Sequence, residues 1–308
     1  MKADWVAASV RARSMAKRRV GAGTSREIAA LPSLDGAMTL LEGSSYAGRL
    51  SGRSGLAAAE RAIQETVLWQ LRVLAGWLPA FGTALARGAA GAFEIENIMA
   101  LAHQLAGGEK APEPYRLGAL ATAWPRVQAA GSSEELATIL SGSAWGDVGA
   151  GGTGALKDAL TVAWVRRLAA VAPAARPWYG AVCVLVAARI LAVDGVEPPE
   201  MVRRLLRPAI GRSWESAKSI AEFSSALPPS LWPVVRGISS PKELWRAEAR
   251  LHAAVERDGF KLLRGPMPGP DVVLGAIAVL FTDGWRVRAA LTAAAAGAGS
   301  SEVLDEAA

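Results

Sequence analysis

SLDGAMTLLEGSSY, from Ser33 to Tyr46, and SSEELATILSGSAW, from Ser132 to Trp145, align without a gap at an offset of 99 residues (33 to 132). Serine opens both, Thr39 matches Thr138, Leu41 matches Leu140, Gly43 matches Gly142 and Ser44 matches Ser143. The final position is aromatic in each, Tyr46 and Trp145, and an acid stands at Asp35 and at Glu134. A period near one hundred residues is too long for a solenoid unit and points to a small helical domain copied along the chain. Ser216 to Ala226 carries only a weak trace of a third copy. Such a plan suits a shaped scaffold better than a single catalytic pocket.

Outward from the repeat, the composition favours helices. Of the 308 residues, 51% are apolar, and Ala, Leu, Arg and Val are all common, with few of the alternating β-branched and aromatic runs that strands need. The fold class reads all-α, and the length accommodates two or three domains with substantial cores. A formal net charge of +6 leans toward anionic partners but discriminates weakly on a chain this long. One cysteine, Cys183, excludes an internal disulfide framework and fits a reducing compartment; within AVCVLVAARILAV it reads as a small buried hydrophobe. No uninterrupted apolar window reaches the roughly 18 to 20 residues of a membrane span. The basic start, with Arg11, Arg13, Lys17, Arg18 and Arg19, lacks the apolar core of a secretory signal.

Trp5 to Val20 reads as a helix stopped by Gly21-Ala22-Gly23, and Thr24 with Glu27 has capping-box spacing for a short second helix. Ser33 opens the next, ending at Gly43. Leu56 to Leu78 carries an apolar stripe through Ile63, Val67, Leu71 and Leu74, and Pro79 closes it. FEIENIMALAHQLAGG, Phe93 to Gly108, places Ile95, Ile98, Ala102 and Leu105 on one face and the polar Glu94, Asn97 and Gln104 on another. A charged linker with two prolines follows at Glu109 to Pro114. Ser132 and Glu135 form a further capping box; Leu156 to Val171 is helical; Pro173 and Pro177 break the chain ahead of an apolar helix, Ala181 to Val193, stopped by Asp194-Gly195. Glu197-Pro198-Pro199 is a second linker. Ser240-Pro241-Lys242-Glu243 is a strong helix start, and a final helical run leads from Asp271 to a frayed tail after Ser300.

Chemistry is hard to find. His103 and His252 lack partners at metal-ligand spacing, so no metal site is expected. The run Gly149 to Gly154 fails as a phosphate loop, because Ala155 and Leu156 stand where Lys and Ser or Thr are needed. No nucleophile elbow, catalytic pair or cofactor motif appears, and the eleven tryptophans scatter along the helices without a basic stripe between them. They are expected in packing, with a few as partner anchors.

The order of these elements resembles the C-type, also called d-type, central-stalk component of the V-type and A-type rotary ATPases. The residues that carry the resemblance are VAASVRARSM (Val6 to Met15), SREIAALPSLDGAMTLLEGSSYAG (Ser25 to Gly48), and the FEIENIMALAHQLAGG helix with its Glu96-Asn97 pair. The likeness spans the chain and is strongest in the first hundred residues. It implies three similar helical-bundle domains, 1–110, 111–197 and 198–308, the third divergent, in a funnel with approximate threefold symmetry. It implies a non-catalytic socket on the cytoplasmic side of the membrane, peripheral to it, that joins central-stalk subunits to the proteolipid ring in ATP-linked ion transport. No cofactor, bound nucleotide or nucleic acid is expected on that reading. The middle copy departs from the pattern, with Val182-Cys183 and Arg189 where a second acid–amide signature would fall. Candidate partner-contact residues are Arg11 and Arg13 on the first helix and the polar face of Glu94, Asn97 and Gln104. The competing expectation is a basic all-helical nucleic-acid-binding protein using Arg11 to Arg19, Arg166-Arg167 and Arg203-Arg204.

Overall fold

The computed structural model describes residues 3–149 and 152–308; the middle of the glycine run at 149–154 lies outside the described residues. Every regular element among those residues is helical: α1 (Val6–Lys17), α2 (Gly21–Ala29), α3 (Leu34–Leu40), α4 (Ala47–Leu50), α5 (Leu56–Ala75), α6 (Thr83–Leu105), α7 (Trp124–Val127), α8 (Ser133–Ser141), α9 (Thr153–Val171), α10 (Arg176–Arg189), α11 (Glu200–Ile210), α12 (Ile220–Ala226), α13 (Leu244–Leu263), α14 (Pro270–Ala295) and α15 (Glu302–Glu306). Short 3-10 turns link several of them. The chain divides into two compact units, Met1–Ala86 with Ala249–Ala308, and Arg87–Glu248.

The first unit is built around α14. At 26 residues it is about 39 Å long, and it is buried on nearly all sides, from Val272 to Leu280 and on to Ala294. Helices α1, α2, α3 and α5 pack against it, so the end of the chain supplies the core for its beginning. Glycines set the closest approaches. A methyl group on Gly275 would lie 2.5 Å from the Gly259 carbonyl of α13, and one on Gly284 would lie 2.7 Å from Val67 Cγ2 of α5. The chain does not fray after Ser300. Ser301 caps α15, and Leu304 and Ala307 are buried while Arg286 donates to the Ala307 carbonyl at 3.1 Å. A run of small and polar residues gives no sign of this, because the docking is tertiary.

The second unit has a core of α9 and α10 with α8, α11 and α12 around it, in which Trp145, Leu160, Cys183, Ala187, Trp214 and Phe223 are buried together. Pro173–Ala192 is long and apolar enough to cross a membrane, with a mean hydropathy of 1.3 over an 18-residue window, but 56% of that window is buried within the protein. That matches the core of a folded unit as well as it matches a span. Pro177 does not break α10; it stands in its first turn, where a missing N–H costs nothing. Gly195, at φ +61°, ends the π-helical turn Ile190–Asp194 in the left-handed region.

The serine bonds of the repeat are reproduced in the first two copies. Ser33 Oγ accepts from Gly36 N (3.3 Å) and Ser132 Oγ from Glu135 N (3.1 Å). Beyond the helix that each serine opens, Ser44 Oγ donates to Leu41 O (2.7 Å) and accepts from Tyr46 N (3.1 Å); Ser143 Oγ donates to Leu140 O (2.7 Å) and accepts from Trp145 N (3.1 Å). This fold-back buries the aromatic residue completely, Tyr46 in one unit and Trp145 in the other. The pattern occurs again from Ser219, 87 residues beyond Ser132 (132 to 219). Ser219 Oγ accepts from Glu222 N (3.1 Å), Leu227 is buried like Leu41 and Leu140, and the aromatic position is Trp232. Here Pro229 replaces the glycine, and the Leu227 carbonyl accepts from Trp232 Nε1 at 2.8 Å instead of from a serine. Trp232 is 48% exposed.

Two expected caps moved. Gly21 begins α2 instead of ending α1, which stops at Lys17, and Thr24 lies inside α2. The amides of Val20 and Gly21 donate to Asp283 of α14, at 3.1 and 2.7 Å, so a distant carboxylate does the work assigned to a local capping box.

Candidate functional site: buried polar anchors and exposed aromatic residues

The polar face of α6 exists as the spacing implies, and its occupant is the chain's own linker. Gln104 Oε1 accepts from Ala111 N (2.8 Å). Asn97 donates to Tyr115 O (3.0 Å) and accepts from Tyr115 N (2.7 Å). Glu94 accepts from the amides of Thr122, Ala123 and Trp124 at 2.8, 2.5 and 2.6 Å. Three residues of one helix stripe thus hold segment 111–124 antiparallel to α6. Gln104 is exposed, whereas Glu94 and Asn97 are buried and fully engaged within the chain. The Glu94 bonds to Ala123 N and Trp124 N satisfy the opening amides of α7, so Glu94 does for α7 what Asp283 does for α2. Arg167 completes the corner: it donates to Thr122 Oγ1 at 3.1 Å and lies 4.8 Å above the Trp145 ring, and burial lowers its guanidinium pKa from the usual value.

Asp283 was not foreseen, although an acid in the middle of DVVLGAIAVLFTDGWRVRAAL is the signal that marks it. It accepts from Tyr46 Oη at 2.9 Å besides the two α2 amides. Burial raises its carboxyl pKa above the usual range, although Gly21, Tyr46 and Val20 all donate to it. Burial, with Asp283 alongside, also holds the Tyr46 phenol well above its usual range.

The two arginines expected at a partner surface differ. Arg13 donates to Leu263 O (3.0 Å) and Gly265 O (2.7 Å), the carbonyls at the end of α13, where a cation is favoured. Arg11 is half-buried, and its Nε has no hydrogen-bond partner among the described residues.

Cys183 is buried and unpaired, and burial pushes its thiol up to about 12, which leaves it inert as a nucleophile near neutrality. His103 is exposed and His252 is stacked on Trp285. Among the described residues no group of three or more His, Cys, Asp or Glu is placed to hold a metal ion.

What the surface offers instead is aromatic. Trp69, Trp77 and Phe81 are exposed in the first unit, with Val6 and Val10 of α1. Phe81 meets Trp5 edge-on at 5.9 Å, which sets the start of α1 beside the turn after α5. Single exposed apolar residues are ordinary, and large aromatic ones are enriched at docking surfaces. Neither a protein-family model nor a curated protein matches the sequence.

Proposed function

We propose that the protein is a non-catalytic socket of a V/A-type rotary ATPase, which joins central-stalk subunits to the membrane proteolipid ring so that stalk and ring turn together during ion transport. On this reading it is a peripheral protein of the cytoplasmic side, with no cofactor, no bound nucleotide and no turnover of its own. Its three domains, 1–110, 111–197 and 198–308, form a funnel with approximate threefold symmetry.

The reading rests on the sequence resemblance, and the observation that carries it furthest is the recurrence of one serine-capped unit at Ser33, Ser132 and Ser219. A chain made of three like domains would have such a unit in each. The exposed Trp69, Trp77, Phe81 and Trp232 supply the aromatic anchors that a permanent assembly buries, and Arg11 is the basic residue of α1 proposed to join them. The nucleic-acid alternative has less support. Arg13 is committed to the end of α13, Arg203 is paired with Glu197 (2.7 Å) and Glu200 (2.9 Å), and Arg204 with Asp147 (3.0 Å).

The test is capture of the tagged protein from gently solubilised membranes of its host, with mass spectrometry of what accompanies it. Stalk subunits and a small proteolipid are the expected companions. Recovery of nucleic acid, or of no partner with the protein in the soluble fraction, overturns the proposal.

A further inference from the structure

We infer that the first helix and the turns packed beside it form a docking surface for an anionic lipid bilayer. Among the described residues ten large apolar side chains are exposed, and five of them, Val6, Val10, Trp77, Phe81 and Met267, lie on α1 or on turns beside it. All five belong to the first unit.

Three contacts bring these segments together. Phe81 meets Trp5 edge-on at 5.9 Å, so the turn that carries Trp77 and Phe81 lies against the residue before Val6. On another flank Ser9 Oγ accepts from Gly269 N at 3.2 Å, and Arg13 donates to Leu263 O and Gly265 O at 3.0 and 2.7 Å. These bonds clasp the turn 263–269 to α1 and leave Met267, between the two clasps, in solvent. Val6, Val10, Arg13 and Lys17 follow one another at the three- and four-residue spacing of a single helix stripe.

That stripe changes character along its length. Its first half is Val6 and Val10, both exposed; its second is Arg13 and the exposed Lys17, with the exposed Arg264 across the turn. From Val10 to Lys17 the helix rises about 10 Å, comparable to the roughly 5–10 Å over which an interfacial helix passes from headgroups to acyl chains. α1 carries Arg11, Arg13 and Lys17 and no acid. The turn adds Arg264 and then Asp271, which stands in the first turn of α14 where the helix dipole favours it; Asp4 precedes α1. Cations therefore outnumber acids behind an apolar tip. A bilayer surface supplies that layering by itself, with hydrocarbon for Val10, Phe81 and Met267 and lipid phosphates for Lys17 and Arg264. A protein partner would have to supply an apolar socket ringed by carboxylates. The inference does not rest on the rotary-ATPase reading.

The experiment floats the full chain with mixed phosphatidylcholine–phosphatidylglycerol vesicles and with phosphatidylcholine vesicles alone. The parent should float with the mixed vesicles and stay behind with the neutral ones. Lys17→Glu with Arg264→Glu should weaken partition about tenfold or more, and Val6→Ser with Val10→Ser about tenfold. All four side chains are exposed, so the helical circular dichroism should be unchanged in both variants. A polarity-sensitive dye on Val10→Cys, with Cys183 buried and out of its reach, should shift to the blue on binding. Failure to float overturns the inference, and so does equal flotation with neutral vesicles. A Val6→Ser, Val10→Ser protein that partitions like the parent, or a dye that stays unshifted in the bound protein, overturns it too, since the contact would then be charge alone. The vesicles carry no protein, so either outcome stands apart from the capture of stalk subunits.

Discussion

His252 lies half-buried with its ring nearly parallel to that of Trp285, centroids 4.1 Å apart, close to the ion pair of Arg286 with Glu256. Burial, and then the Arg286 charge, lower its pKa to about 4. The sign of the linkage follows. Between about pH 4 and the ordinary histidine value near 6.5 the unfolded chain binds a proton that the folded chain refuses, so stability falls as pH falls through that window. By pH 4.5 the loss reaches about 2–3 kcal/mol. His252→Phe keeps the stack and removes the proton. Its urea midpoint should therefore change less between pH 7 and pH 4.5 than that of the parent, and an equal change in both proteins would place the pH dependence elsewhere. The sequence shows of His252 only that it lacks metal-ligand partners nearby, because nothing local announces Trp285, which is 33 positions along the chain (252 to 285).

At the scale of elements, what was legible was local. Ser33, Ser132 and Ser240 each begin a helix as read, because an N-cap hydroxyl and the amide it accepts lie within three residues of each other. The stripe of α6 was legible too, since Glu94, Asn97 and Gln104 follow helical spacing. What lies across from a stripe is a tertiary fact, and periodicity is silent on it. So the linker on α6 could not be read, nor the Asp283 cap on α2, whose partners are 262 and 263 residues apart. Glu94 gives this scale its prediction. Three backbone amides converge on one buried carboxylate, and Glu94→Ala leaves all three without an acceptor. The expected cost is about 3–5 kcal/mol, read as a lowered urea midpoint. Faster amide exchange at Thr122, Ala123 and Trp124 than elsewhere in the protein should accompany it. A loss spread evenly over all amides would mean that Glu94 supports the fold generally and does not pin this segment.

For the molecule as a whole, the aromatic position of the repeat is the useful comparison. Tyr46 and Trp145 close their copies and are buried; Trp232 satisfies the equivalent carbonyl with its indole and stays in solvent. Together with Trp77 and Phe81 in the other unit, it leaves large apolar side chains at the surface that the chain's own packing does not cover. In water such side chains favour contact with anything that buries them, at about 25 cal/mol per Å² of apolar surface removed, so without a partner the protein itself becomes the partner. The isolated chain is therefore expected to associate as it is concentrated. Its scattering mass should rise above 32.0 kDa as concentration rises, and Trp77→Ser with Phe81→Ser should hold that mass constant over the same range. Both side chains are exposed just after the end of α5; Trp77→Ser alone should lower the concentration dependence in part, and the double variant, which also loses the Phe81–Trp5 ring contact worth about 1 kcal/mol, is checked for an unchanged helical circular dichroism. If the parent stays monomeric at every concentration, the exposed aromatic residues are ordinary surface, and the case for partner docking through them fails with it.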